Sequence, residues 1–248
     1  MHTYRAKRVL RAERKSSSSP VIVDTDGGAY FVKLRGAAQG TLALVAEIIV
    51  AEFAEAIGLS VPARALVIID DDLETNDRND ELLQLIGFSR GLNLGLQYLE
   101  RARDLRGDEA HLIDEDTASR IVWLDGLVMN PDRATANPNV LAWHGKPWLI
   151  DHGAALGFQH DWSRVEELTA QKPFPHLAQH FLRKRATRVA AMLPREVIEA
   201  AVAVAPDDFL TPHLEGVDVA RRRQAYAAIL WKRLKPPRAF AHMQSATG

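Results

Sequence analysis

The chain has 248 residues, a formal net charge of −1, and a composition that is 47% hydrophobic and 25% charged. That is enough chain for one large domain or two lobes with a buried core, and the near-neutral balance gives no reason to expect nucleic acid or an anionic membrane as partner. Cysteine is absent, which excludes disulfides, thiolate metal sites and cysteine nucleophiles. No apolar run approaches the roughly 20 residues of a membrane span. The basic start "MHTYRAKRVLRAERK" lacks the apolar core of a secretory signal, so a cytoplasmic protein is expected.

In chain order, the serine run Ser16–Ser19 precedes Pro20, and "VIVDTDGGAYFVKL" reads as strand, Asp26-Gly27-Gly28 turn, strand. Lys33 lies near the end of the second strand and alternates with Val32 and Leu34. Residues 41–57 read as a helix, with Leu42, Val45, Ile49, Phe53 and Ala56 at helical spacing and Gly58 as its C-terminal stop. "VPARALVII" reads as a strand and "DDDLETNDRND" as a polar loop. "LLQLIGFSRG" reads as a further strand running into a connector near Gly87–Leu94. Residues 93–124 carry helical patterning broken at "RGDEAH". A hairpin is expected from Val140–Trp143 and Pro147–Ile150 around a His-Gly-Lys-Pro turn. Helices are expected in "VEELTAQ", "FPHLAQHFLRKRATRVAAML", "PREVIEAAVAVA" and "DVARRRQAYAAILWKRL". A β-rich part, residues 1–92, and a helical part, 93–248, with a cleft between them, is the expected organisation.

The chemistry-bearing stretch is "NPDRATANPNVLAWHGKPWLIDHG". Phosphoryl transfer needs a carboxylate beside the acceptor, hard oxygen ligands for Mg²⁺ and a cation on the phosphates. Asp132, Asn137 and Asp151 are those ligand types, and the hairpin would fold Asp151 back toward Asp132. Each piece alone is an ordinary turn former. What distinguishes them is their order: hairpin lysine, acidic helix, connector, helix, Asp-x4-Asn, hairpin, Asp-x-Gly.

That order, and above all "DGLVMNPDRATANPNVL" with "WLIDHGAAL", resembles the HipA-like kinases of the protein-kinase-like superfamily, with phosphatidylinositol kinases more distant. "AEIIVAEFAEAIGLSVPA" resembles the family's helix and its Gly-Leu-x-Val-Pro sequel. The resemblance spans most of residues 15–160. It implies an α+β, bilobal protein-kinase-like fold with a small β-rich N-lobe and a larger helical C-lobe. It also implies a phosphotransferase that uses ATP and Mg²⁺, with a Ser/Thr hydroxyl on a protein as acceptor and a regulatory partner protein as an open option. By position, Asp132 resembles the catalytic base, and Asn137 and Asp151 the Mg²⁺ ligands. Lys33 resembles the lysine on the ATP phosphates. Glu47, eleven residues before Gly58, matches the family glutamate that pairs with that lysine; the helical wheel favours Glu52, and Glu47 is preferred.

The departures are specific. No G-x-G-x-x-G precedes Lys33; Ser17, Ser18 and Ser19 stand at the family's phosphate loop, where serine N–H and hydroxyl groups can cradle an anion. Ala134 occupies the position of a lysine two residues after the base, leaving Arg133 or a residue elsewhere to neutralise the transferring phosphate. His152 replaces the Phe of Asp-Phe-Gly, with a packing or hydrogen-bonding role. Nine histidines show no H-E-x-x-H pattern, and His176 and His180, four apart, read as structural. Rival readings are a nucleotide-binding pseudokinase, a kinase of a small-molecule or lipid hydroxyl, and a helical interaction protein that binds no nucleotide.

Overall fold

The structure, a computed structural model, describes residues 1–12, 20–168, 174–187, 193–214 and 216–235. The chain divides into two compact units, one of Met1–Val45 with Pro62–Glu100, the other of Ala46–Val61 with Arg101–Gly248. Strands concentrate in the first and helices in the second, so the expected α+β class is borne out.

The first unit is a closed five-stranded barrel. Its strands are β1 (His2–Ala12), β2 (Val21–Thr25), β3 (Gly28–Lys33), β4 (Arg64–Ile69) and β5 (Gly91–Gln97), in the order β1-β2-β3-β5-β4. The β2–β3 hairpin forms where the Asp-Gly-Gly signal placed it, with Thr25 opposite Gly28 and Gly28 at φ 108°. Closure comes from β1, which pairs antiparallel with β2 and parallel with β4. Inside lie Ala6, Val9, Val21, Val23, Val32, Leu34, Val67 and Ile69, capped by Leu82 and Ile86.

Two expectations fail here. "LLQLIGF" is not a strand: it lies in α2 (Asp80–Phe88), capped by Asn79, whose side-chain oxygen accepts from Leu82 N–H at 2.8 Å. Leu82 and Ile86, four residues apart, are its buried positions. The connector near Gly87–Leu94 and the start of the helical patterning are instead β5, which pairs with both β3 and β4. No β-branched residue announces this strand. Gly95 is required because a Cβ there would meet Val67 Cγ2 at 2.7 Å and the Tyr30 ring at 3.1 Å.

Helix α1 (Gly40–Ala56) forms as the periodicity predicts. It stops in the Schellman arrangement, with Leu59 N–H on the Ala54 carbonyl, Gly58 N–H on the Glu55 carbonyl, and Gly58 at φ 78°. From Leu42 to Ala51 every residue is buried, so over that stretch the helix has no solvated face on which an apolar arc could be defined.

In the second unit α3 (Glu115–Val128) leads to the hairpin β7 (Val140–Trp143) and β8 (Lys146–Leu149), with the short β6 (Arg103–Asp104) beside β7. His144 and Gly145, both at positive φ (48° and 73°), make the two-residue turn. Then come α4 (Val165–Leu168), α5 (Arg195–Val204), α6 (Asp207–Leu210) and α7 (Val219–Leu234). The helix expected over 174–193 does not form in its described part: Pro175–Gln179 is one short 3-10 stretch, His180 bridges to Ala134, and turns follow over 181–185. Residues 169–171 of the expected "VEELTAQ" helix lie outside the described residues.

Candidate active site

The loop that carries Asp132 and Asn137, the candidate catalytic loop, is set by the end of α3. Met129 turns into the left-handed region at φ 54°, and the N–H groups of Met129 and Asn130 both return to the Asp125 carbonyl. The last turn of α3 is fixed from α7, where buried Arg233 donates to the carbonyls of Leu127 and Gly126 at 2.8 and 2.7 Å. A cation at a helix C-terminus also offsets the helix dipole. Burial pulls the Arg233 pKa down to about 10, so it keeps its charge at neutral pH.

Asp132 is half-buried and Asn137 exposed. The Asn137 amide nitrogen donates to Asp132 Oδ1 at 3.2 Å, so the amide oxygen is the atom left for a cation. The Asp132 backbone is held at both ends: its N–H donates to Asn130 Oδ1 at 3.1 Å and its carbonyl accepts from Asn139 Nδ2 at 2.6 Å. Asn139, at φ 51°, also receives Ile150 N–H on its carbonyl at 3.1 Å. The strand pairing Val140–Leu149 continues from that bond, so Asp151 emerges beside the loop that carries Asp132. Asp151 itself has φ 58°, strained for a non-glycine residue.

Glu47 is 2% exposed and accepts from Gly153 N–H at 2.8 Å, which ties α1 to the metal loop. Glu52 is only half-buried. Glu47 is thus bonded directly to the Asp151–Gly153 segment. Lys33 belongs to the first unit, where it ends β3 opposite Leu94 and is 7% exposed. Ser17, Ser18 and Ser19 lie outside the described residues.

Beneath the loop lies a polar core that the sequence did not disclose. Asp125 and Arg133 form an ion pair at 2.6 Å with both side chains fully buried. Asp125 also accepts from Asn130 Nδ2 and His180 Nε2, each at 2.9 Å. Burial by itself would raise the Asp125 pKa; the Arg133 charge and the His180 and Asn130 hydrogen bonds outweigh it and hold the carboxyl well below the usual range. Arg133 further donates to the carbonyls of Pro138 and Asn139 and to His152 Nδ1 at 3.2 Å. This corrects the expectation for Arg133: at 1% exposure, with its guanidinium committed to those groups, it is not placed to neutralise a transferring phosphate. His152, 2% exposed, makes the hydrogen bond expected of it. The only advance signal for the core was the acidic residue seven positions before Asp132.

Among the described residues no cluster of three or more His, Cys, Asp or Glu side chains is placed to hold a metal ion. The donor set nevertheless fits Mg²⁺, which takes one or two protein oxygens and completes its shell with phosphate and water.

The HipA-like kinase family model matches residues 6–231. The fold is similar to the crystal structure of a Helicobacter pylori proinflammatory kinase, CtkA, with a TM-score of 0.53, 11% identity, and 98% of this chain and 97% of that chain covered. At that identity the likeness concerns the fold. No curated protein matches the sequence. The chain belongs to the HipA-like kinase family, and is a phosphotransferase.

Proposed function

We propose that this phosphotransferase moves the γ-phosphate of ATP to a Ser or Thr hydroxyl of a protein in a Mg²⁺-dependent reaction. The observation that carries the reading is the loop pair: Asp132 with Asn137 at 3.2 Å, and Asp151 tied to the same loop through Ile150 and Asn139. Asp132 is assigned to accept the hydroxyl proton. Asn137 and Asp151 are assigned to hold Mg²⁺, which when bound offsets charge on the phosphates. Lys33 is assigned the ATP phosphates, and Glu47 steadies the metal loop through Gly153 and is the proposed partner of Lys33. Ser17, Ser18 and Ser19 are assigned to the phosphate loop. The bilobal arrangement, the cytoplasmic location and a regulatory partner protein belong to the same proposal. No described helix is long and apolar enough to cross a membrane.

The test is transfer from γ-labelled ATP to mixed protein acceptors, comparing wild type with Asp132→Ala and Asp151→Asn. Loss of label in both variants is expected; transfer at the wild-type rate by both would overturn the assignment. A pseudokinase is the second reading, favoured by one observation. Ala134 stands where typical kinases carry a lysine, and Arg133, the only cation of the catalytic loop, is turned into the core. That reading predicts thermal stabilisation by Mg-ATP without transfer to any acceptor.

A further inference from the structure

We infer that His180 is a positioning residue for phosphoryl transfer, holding the catalytic loop from a segment outside both motifs. The inference rests on Asp132 as the base. His180 is 6% exposed and lies 48 residues beyond Asp132. Its Nδ1 accepts from Leu182 N–H at 3.1 Å, which leaves Nε2 to carry the hydrogen toward Asp125 Oδ2 at 2.9 Å. The tautomer is therefore fixed by the backbone of its own segment.

From Asp125 the connection runs two ways. Through Asn130 it reaches the Asp132 N–H; through Arg133 it reaches the Pro138 and Asn139 carbonyls, and Asn139 in turn holds the Asp132 carbonyl. The backbone adds a second attachment: Phe181 N–H donates to the Arg133 carbonyl at 3.2 Å, and Ala134 bridges to His180. The same guanidinium contacts His152 on the metal loop. His180 thus supports the base's loop and, through Arg133, the loop of Asp151. Removing its ring leaves Asp125 with one donor fewer and Leu182 N–H without its acceptor. The loop then gains freedom at the atoms that aim the Asp132 carboxylate.

Residues that orient a site through another residue typically matter by 10- to 100-fold, and misplacement of about 1 Å is enough to produce such losses. His180→Phe and His180→Gln separate this role from simple packing, because Gln keeps a donor for Asp125 and an acceptor for Leu182. In the full chain, hydrogen exchange at the Asp132 and Asn137 amides is measured alongside kcat and the KM for ATP, with melting curves to confirm folding. His180→Phe is expected to speed exchange across 130–139 and to lower kcat by on the order of 10- to 100-fold with KM changed less than about threefold. His180→Gln is expected to recover most of both. Unchanged exchange over 130–139 in folded His180→Phe overturns the inference whether or not the protein transfers phosphate. Faster exchange with wild-type kcat overturns it too. Absence of transfer by the wild type would count against the proposed function, and the exchange data would still decide whether His180 holds the loop.

Discussion

Arg133→Met removes the cation from a fully buried pair and leaves the Asp125 carboxylate in place with Asn130 and His180 as its remaining donors. Breaking one half of a buried pair costs about 3–5 kcal/mol, because the surviving charge stays desolvated. The Pro138, Asn139 and His152 contacts are lost as well, so the upper half of that range is expected. For a chain of this length that corresponds to a fall in Tm of roughly 8–20 °C. The pH dependence carries the sharper test. In the wild type the Asp125 pKa is depressed, so its contribution is present above the unfolded value near 3.9 and is lost only as pH falls below it. Without Arg133, burial is opposed only by the His180 and Asn130 interactions, and that pKa is expected to rise. A carboxyl with a raised folded-state pKa loses stability as pH rises through it, so the variant gains on the wild type as pH is lowered from 7 toward 5. Calorimetry at both pH values measures the gap. Asp125→Asn combined with Arg133→Met removes both charges and is expected to melt above the single Arg133 variant. A single variant within 2 °C of wild type, or a gap unchanged between pH 7 and 5, would refute the reasoning.

Arg233→Met leaves the Gly126 and Leu127 carbonyls without their charged donor and is expected to destabilise by about 2–3 kcal/mol in urea unfolding. Gly95→Ala places a methyl 2.7 Å from the β-branched Val67 side chain and should cost about 1–3 kcal/mol by the same assay, with no change in m. Gly107→Ala would set its Cβ 2.2 Å from the Thr135 carbonyl oxygen in the catalytic loop; the backbone must move, and transfer activity should fall by about tenfold or more while Mg-ATP stabilisation persists.

Much of the fold was legible because local chemistry agreed with the tertiary result. Asp-Gly-Gly closes the β2–β3 hairpin, His-Gly closes β7–β8, and the Gly58 stop works as a Schellman cap. The failures have physical causes. "LLQLIGF" is short and apolar enough to suit either state, and the deciding signal was the Asn-Asp-Glu just ahead, which caps and charges a helix start. β5 carries two glycines and no β-branched residue; it is a strand because β3 and β4 both need a partner there. His180 sits in a stretch with helical composition, and hydrogen bonds from its segment to the catalytic loop override that propensity. For the site, the Asp132–Asn137 spacing and the return of the chain toward Asp151 were readable. The partner of Arg133 was not, since only the turn at Met129 and Asn130 brings Asp125 beneath the loop. The family spacing singled out Glu47; the competing wheel argument for Glu52 presumes a solvated face, and α1 has none over Leu42–Ala51.

The central claim is that one carboxylate on each loop serves the same transfer in different roles. The direct measurement pairs Mg-ATP thermal stabilisation with γ-phosphate transfer for wild type, Asp132→Ala and Asp151→Asn. The account predicts that Asp132→Ala keeps the stabilisation and loses transfer, whereas Asp151→Asn loses both. Wild-type transfer by Asp132→Ala, or full Mg-ATP stabilisation of Asp151→Asn, would contradict it.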